Sequence, residues 1–262
     1  MRILWQSFVD AAQNAPYLER LSAYLNDISA SGTTVDVVGT SPPDRDFGRL
    51  TEFRCAALAI DRCIEAEAEH YDGFVMGHFQ DPGLYEARSA VRMPVIGAGE
   101  SSLHFAAQLG RRLALVSIDP AFEVWHFEQA ERYGLRDRIV GVAGLGYQVE
   151  DFKAAFEGDA VALARIREQF NEKALPLVAA GADVIIPAGI LPGLLLCRER
   201  GLTVGHAPVV NCASVALKAA EMAIALHRLD GIEPSRGPSF ALAPRRAIED
   251  FRRLVAKGRQ ND

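Results

Sequence analysis

Short β-branched apolar runs alternate with longer stretches of helical spacing along most of the chain. The apolar runs predict strands over 2–5, 34–38, 73–76, 94–96, 113–118, 139–142, 183–186 and 204–210. The stretches between them predict helices from about Pro16 and over 52–69, 120–133, 149–180, 214–228 and 244–256. This alternation indicates βαβ units and a mainly parallel sheet, in which ligands bind at the carboxyl ends of the strands.

A repeated pattern divides the chain into two halves. Residues 72–84 combine a strand, a loop of small residues and Pro-Gly-Leu, and a Pro-Val-hydrophobic strand with a small polar loop follows at 94–102. The same order recurs over 182–194 and 208–214. Two copies in one chain predict two pseudo-symmetric lobes that face each other across a cleft, with a coincidence of βαβ order as the alternative explanation.

The repeat also sets the expected fold class and domain boundaries. We expect an α/β fold in which each lobe has a four-stranded, mainly parallel sheet flanked by helices. The first lobe would comprise residues 1–108 with the returning helices of 215–262, and the second lobe residues 109–214. With one residue of slippage, His78 corresponds to Gly189, so both positions are expected at the cleft.

Composition and charge narrow the functional classes. The chain has 262 residues, of which 49% are hydrophobic and 24% charged, and its net charge of -6 is scattered. Without a basic stripe, nucleic-acid binding is not expected. Apolar stretches such as 189–197 are too short to span a membrane, and the N-terminus lacks the pattern of a signal peptide. The four cysteines show no CxxC or zinc-ligand spacing, which is typical of thiols in a reducing compartment and predicts a cytoplasmic protein.

Several motifs occur in a fixed order along the chain. They are Asp81-Pro82-Gly83-Leu84, Ala87-Arg88, Pro94 to Glu100, Gly181 to Ile186, and Pro208 to Asn211 followed by Lys218. This ordered set resembles the aspartate/glutamate racemase superfamily and, within it, the hydantoin/allantoin racemase branch. The resemblance covers most of the chain, and it implies two four-stranded lobes with a substrate cleft between them.

Racemases of this superfamily use two cysteines, one from each lobe. One thiolate removes the proton next to a carbonyl, and the other thiol returns a proton on the opposite face of the substrate. At the matching positions this chain has His78 and Gly189. In addition, Trp5-Gln6-Ser7 stands where the hydantoin branch usually has an Asn-Pro-Asn-like turn. The two-thiol mechanism therefore cannot operate in this chain.

His78 and Cys212 are the catalytic candidates. His78 follows a predicted strand in a small-residue loop, where an imidazole is the usual general base near neutral pH; a hydrogen-bonded structural histidine is the alternative. Cys212 lies at a predicted helix start, which lowers the pKa of a thiol, so it could face His78 and restore an acid/base pair. A small buried thiol packed beside Ala213 is at least as good an interpretation of Cys212.

Residues in the loops after the predicted strands are the substrate-binding candidates. Amides and hydroxyls at the two predicted helix starts would anchor a carboxylate or an imide. The candidates are Gln6, Ser7, Asp81, Glu100, Ser101, Ser102, Tyr147, Gly189, Asn211 and Ser214. Helix capping or the helix dipole is the alternative explanation for Asp81 and Glu100, and Asp81 could also orient His78.

Metal and nucleotide sites have little support in the sequence. Glu100 and His104 lie four residues apart on one predicted helix face, but no further ligand pattern accompanies them. The Gly-x-Gly within 141–146 lacks the third glycine and the acidic partner of a dinucleotide site. We therefore expect neither a metal nor another cofactor.

Three functions remain. The leading hypothesis is a racemase- or epimerase-like isomerase that acts through an enolate at the carbon next to a carbonyl, with His78 as the base. The second is a cofactor-independent decarboxylase or C–C lyase, which needs a proton donor on one face only. The third is a non-catalytic metabolite-binding protein. The expected partner is a small carboxylate, another small anion or a cyclic imide, and the sequence leaves self-association into a homo-oligomer open.

Overall fold

The first half of the chain forms a four-stranded parallel sheet with helices against it. The computed structural model describes residues 1–42, 47–197 and 200–259. The strands are β1 (Arg2–Gln6), β2 (Thr34–Val38), β3 (Gly73–Met76) and β4 (Val95–Gly97), and the helices are α1 (Ala15–Ile28), α2 (Arg49–Ala68), α3 (Leu84–Ala90) and α4 (Ala98–Leu109). The strand order is β2-β1-β3-β4, with every neighbouring pair parallel.

The second half repeats this arrangement with a smaller sheet. Its strands are β5 (Leu113–Ser117), β6 (Ile139–Gly144) and β7 (Val184–Ala188), in the parallel order β6-β5-β7. Its helices are α5 (Phe122–Arg132), α6 (Lys153–Glu157), α7 (Ala160–Ala179) and α8 (Ile190–Leu196). Two further helices, α9 (Cys212–Asp230) and α10 (Arg245–Arg259), end the chain. The predicted α/β fold class is confirmed.

The fourth strand predicted for the second sheet over 204–210 is not formed, so that sheet has three strands among the described residues. Two short strands, β8 (Thr203–Val204) and β9 (Ala207–Pro208), pair antiparallel with each other across a tight turn. Within the described part of the chain, an isolated parallel bridge between Ile185 and Val209 is all that continues the sheet beyond β7. The chain reverses inside the predicted strand because Gly205 adopts a positive φ of 58°.

The helix predicted over 149–180 is divided into three pieces. A 3-10 turn (Val149–Phe152) leads into α6, which ends at Gly158 with a left-handed φ of 107°. Asp159 then accepts hydrogen bonds from two amides in the first turn of α7 and so starts a new helix. The periodicity of apolar residues continues across the break, which explains the wrong prediction of one long helix.

The larger of two apolar clusters among the described residues crosses between the two sheets. Trp5 of β1 and Leu115 of β5 both belong to it, and both are fully buried. Helix α9 packs against α1 and α4 from the first half and against α8 and β7 from the second half. Helix α10 packs on α2, so the end of the chain returns to the first sheet. Because the core is shared, the predicted division into lobes at residues 108 and 214 stays a prediction.

The first turn of α4 lies directly against the loop after β3 and against α5. A Cβ atom at Gly99 would lie 1.9 Å from the carbonyl oxygen of Phe79 and 2.3 Å from Nε2 of Gln129. Both distances are far below van der Waals contact. Only a glycine therefore allows the two halves to approach this closely.

Gly99→Ala is expected to lower the free energy of unfolding by about 2 kcal/mol or more, because the overlap can be relieved only by moving backbone. Gly193→Ala is the matched control, since the nearest atoms to its added Cβ would be 4.0 Å away. Urea unfolding followed by circular dichroism measures both variants. Equal midpoints for the two would contradict the close packing of α4.

Candidate active site

Strand ends from both halves meet at one cavity. His78 lies two residues after β3, and Gly189 directly follows β7. Both line a cavity of about 40 Å³, together with Ser7 after β1 and Ile118 after β5. The structure thus brings together the two residues that the repeat places at equivalent positions, at the edge where parallel α/β sheets bind ligands.

A carboxylate accompanies the imidazole of His78. Nε2 of His78 lies 3.2 Å from Oε2 of Glu52, and the imidazole ring stacks on Phe8 with the centroids 4.7 Å apart. The two side chains are only 20% and 15% exposed. A carboxylate at this distance orients an imidazole and stabilises its protonated form. His78 and Glu52 therefore form a histidine–carboxylate pair at the cavity.

Glu52 was not among the candidates from the sequence. It lies in the first turn of α2, where an acidic residue is ordinarily explained by the helix dipole. Its partner His78 is 26 residues away in the chain. The one available signal was that a helix following β2 begins at the carboxyl edge of the sheet, where its first turn can reach a ligand.

Among the described residues, the polar side chains that line the cavity all come from the first half. They are Ser7, Tyr17, His78 and Gln80, and the first half also contributes Phe8, Val9, Phe47 and Gly77. Burial raises the pKa of Tyr17, so its hydroxyl stays protonated and can donate a hydrogen bond. Apart from Gly189, the lining from the second half is apolar over the described residues: Ile118, Phe122, Val149, Ala188, Ile190 and Leu191. The lining groups able to exchange a proton thus come from the His78 side.

A buried carboxylate fixes the loop that carries His78. Asp81 is fully buried and accepts hydrogen bonds from the amides of Gly99 and Glu100, at 3.0 and 2.6 Å. It also accepts from the hydroxyl of Tyr133 at 2.7 Å and from Nε2 of Gln129 at 3.3 Å, both on the opposite half. Burial raises the pKa of Asp81 to about 7, and the hydrogen bonds from Tyr133 and the two amides limit that rise.

A second buried histidine continues this network. Gln129 donates from its amide nitrogen to the carbonyl oxygen of Phe79, so its oxygen is left to accept from Nδ1 of His126 at 3.1 Å. Burial lowers the pKa of His126 to about 4, so its imidazole is neutral near pH 7. With the one ring proton on Nδ1, Nε2 of His126 accepts from the hydroxyl of Ser117, whose Oγ lies 2.9 Å away.

The predicted site residues near β1 and β3 divide into two groups. Ser7, His78 and Gly189 line the cavity. Gln6 does not reach it: its amide nitrogen donates to the carbonyl oxygens of Ser7 and Gly39 and to the hydroxyl of Thr40. Asp81 holds α4 and α5, as described above, instead of orienting His78.

The helix-start residues predicted to anchor a substrate have structural roles. Glu100 forms an ion pair with Arg88. The hydroxyls of Ser101 and Ser102 donate to carbonyl oxygens of residues 97 and 98 at the start of α4. The first turn of α4 is already capped by Asp81. Its amides are therefore engaged by the protein itself.

Asn211 and Ser214 are likewise engaged within α9. The Asn211 side chain accepts hydrogen bonds from two amides of the first turn and donates to the hydroxyl of Tyr24 at 2.7 Å. The hydroxyl of Ser214 donates to the carbonyl oxygen of Asn211. Tyr147 packs edge-on against Phe152 with ring centroids 5.7 Å apart. These three residues lie outside the lining of the His78 cavity as the described residues form it.

Cys212 lies in the core. Its side chain is fully buried, and Sγ lies 3.3 Å from the carbonyl oxygen of Pro187. Burial raises the pKa of Cys212 to about 12, which corrects the expectation that the helix start lowers it. Desolvation outweighs the helix dipole at this depth. The interpretation as a small packed thiol fits Cys212, and Cys55 and Cys63 are buried on α2, where core packing was expected.

Within the described part of the chain, His, Cys, Asp and Glu side chains form no group of three or more that could hold a metal ion. Within the same residues, no helix is long and apolar enough to span a membrane.

Known racemases are similar to this chain in sequence and in fold. The model of the family described as Asp/Glu/Hydantoin racemase matches residues 14–220. A hydantoin racemase of Pseudomonas sp. (strain NS671) is 28% identical over 160 residues, which are 58% of this chain and 64% of the relative. A hydantoin racemase of Paenarthrobacter aurescens is 24% identical over 92% of this chain and 96% of its own length. The solved allantoin racemase from Klebsiella pneumoniae has a TM-score of 0.77 at 23% identity, covering 94% of each chain.

The neutral state of His126 predicts a specific loss of stability in acid. Between its ordinary pKa of 6.5 and the folded-state pKa of about 4, only the unfolded chain takes up the proton. The free energy of unfolding should therefore fall by roughly 1.4 kcal/mol per pH unit as the pH decreases through this window, about 3 kcal/mol in all. The stability difference between wild type and His126→Gln should show this dependence.

His104→Gln is the control for this measurement, because His104 is exposed on α4. Urea unfolding at pH 7, 5.5 and 4 provides the free energies. A difference in unfolding free energy between wild type and His126→Gln that stays constant with pH would contradict a neutral buried imidazole.

Proposed function

Since the chain belongs to the Asp/Glu/Hydantoin racemase family, we propose that it is a racemase-like isomerase acting at the carbon next to a carbonyl. The substrate is a small carboxylate or a cyclic imide. The names of the relatives favour a cyclic ureide such as a 5-substituted hydantoin or allantoin. The matched segment is 64% of the length of the first relative, so activity and substrate are proposals for this chain.

His78 is the proposed acid/base. It takes the proton from the substrate carbon, and the electron pair moves into the carbonyl to form a planar enolate. Inversion then requires the enolate to turn its other face to the imidazolium before that imidazolium returns the proton to carbon. Glu52 orients the imidazole and stabilises its cationic form. The hydroxyls of Ser7 and Tyr17 and the amide of Gln80 are the donors available to the enolate oxygen.

One observation carries this proposal: His78 and Gly189, the positions at which the family resemblance places the two acid/base groups, line the same cavity. At about 40 Å³ that cavity has room for roughly three water molecules. The lining side chains must therefore move apart for a substrate to bind. When they close again around the bound substrate, they exclude water during the reaction and strengthen the interactions with the enolate.

His78→Ala is expected to reduce solvent-deuterium exchange of the substrate proton by roughly 10²- to 10⁴-fold. Enantiopure 5-methylhydantoin and allantoin are incubated in D₂O and followed by NMR for exchange and by polarimetry for racemisation. His104→Ala serves as the exposed-histidine control. Full exchange by His78→Ala would refute the role of His78, and calorimetric binding without turnover by the wild type would favour a binding protein.

Glu52 is a proposed positioning residue. Glu52→Gln keeps the shape of the side chain but removes its charge, so kcat is expected to fall about tenfold, while KM changes less than threefold. Glu52→Ala should lower kcat further, because it also removes the hydrogen bond to His78. A rise in KM with unchanged kcat in Glu52→Gln would contradict this role.

The one-sided polarity of the cavity favours a second candidate, a cofactor-independent decarboxylase or C–C lyase. In decarboxylation the C–C bond to the carboxylate breaks, CO₂ leaves, and the electron pair enters the remaining carbonyl as an enolate. His78 would then protonate that enolate on one face, and the apolar wall at Gly189 would need no proton donor. A chiral product from a prochiral disubstituted malonate would support this reaction.

Gly189→Cys separates the two candidates. Gly189 has an extended backbone (φ 168°), and a Cβ there would lie 3.2 Å from the ring of Pro192, so a thiol fits after a small shift. If the wild type exchanges on one face, the new thiol should raise the ratio of racemisation to exchange at least tenfold. Gly189→Ser, of similar size but a much weaker acid, should not. A wild-type ratio that is already near one and unaffected by Gly189→Cys would exclude one-sided chemistry.

A further inference from the structure

A second and larger cavity adjoins the His78 site. This outer pocket, of about 400 Å³, is lined by Glu52 and Phe53 of α2, Tyr85 of α3, Trp125 of α5 and further residues of these elements. Gln80 lines both cavities. Glu52 lines the outer pocket while its carboxylate contacts His78. Gln80 and Glu52 therefore connect the outer pocket to the acid/base group.

The lining of the outer pocket combines the aromatic rings of Phe53, Tyr85 and Trp125 with charged side chains. Arg49 forms two hydrogen bonds with Glu128, at 2.8 and 2.9 Å, and its guanidinium lies 5.2 Å from the centroid of Trp125. Glu52 is engaged by His78. Phe53 is 73% exposed, and Trp125 is partly exposed. The pocket thus offers a ligand accessible aromatic surface, and three of the charged groups beside it already have partners.

We propose that the outer pocket is the subsite for the substituent on the reacting carbon, and that it selects planar aromatic substituents. This inference rests on the proposed function. The size of the outer pocket supports it, because about 400 Å³ is room enough for an aromatic ring, whereas the cavity of about 40 Å³ beside His78 must already open to admit the ureide ring itself. A substituent that passes Glu52 and Gln80 would stack on Trp125, as aromatic rings do at centroid distances of about 4.5–7 Å.

The test uses hydantoins that bind but cannot react. 5,5-Dimethylhydantoin and 5-benzyl-5-methylhydantoin have no proton on C5, so their affinities are independent of turnover. Calorimetry on the full chain is expected to show the benzyl compound binding at least tenfold more tightly than the dimethyl compound. In Trp125→Ala this preference should fall about five- to tenfold. Phe105→Ala, an exposed aromatic on α4 outside the pocket, should keep it.

Fluorescence adds a local readout. The chain has two tryptophans, Trp5, which is fully buried in the core, and Trp125 in the outer pocket. The benzyl compound should change the tryptophan emission of the wild type, and Trp125→Phe should abolish that change.

The outcomes of this test separate a failure of the aromatic subsite from a failure of the proposed function. If both hydantoins bind with equal affinity, or if Trp125→Ala keeps the full benzyl preference, the aromatic subsite is refuted while the proposed function stands. If neither compound binds, a cyclic ureide as ligand is refuted, and the subsite inference falls with it.

Discussion

The structure depends on one buried carboxylate that joins its two halves. Asp81 accepts hydrogen bonds from the start of α4, from Gln129 on α5 and from Tyr133 directly after α5. A buried carboxylate costs free energy unless donors surround it, so the two halves must close together to supply them. His78 is three residues before Asp81, and the carbonyl oxygen of Phe79 between them accepts from the same Gln129. The position of the imidazole is consequently tied to the docking of α5.

The same constraint explains the small residues and the neutral histidine around it. Gly99 leaves room for the carbonyl oxygen of Phe79 and for Gln129 at the point of closest approach. His126 completes the hydrogen-bonding capacity of Gln129 by donating to its oxygen. Each group in this network has a fixed donor or acceptor role, which specifies a single arrangement of the two halves. The geometry of the His78 site therefore depends on this arrangement.

The sequence predicted the parts of this protein that local pattern determines. Strand and helix order, the repeat, and the pairing of His78 with Gly189 follow from apolar periodicity and from Pro and Gly positions that neighbouring residues define. Glu52 could not be predicted, because its role arises from a contact with a residue on another element. The pKa expected for Cys212 was wrong for a related reason: burial, which depends on the whole fold, outweighs the local effect of a helix start. Asp81 was expected as a cap, but the helix it caps begins well beyond its own turn.

Gly189 lies where the family resemblance implies a second thiol, and the strand end before it lies at the cavity. The rest of the lining from the second half is apolar over the described residues, so under the proposed function proton transfer is confined to the side of His78, Ser7, Tyr17 and Gln80. An apolar wall excludes water and holds one face of a planar enolate away from any proton source. The configuration of the product then depends on which face of the enolate meets the imidazole. The position of the substituent therefore determines the stereochemical outcome, because it sets which face of the enolate is presented to His78.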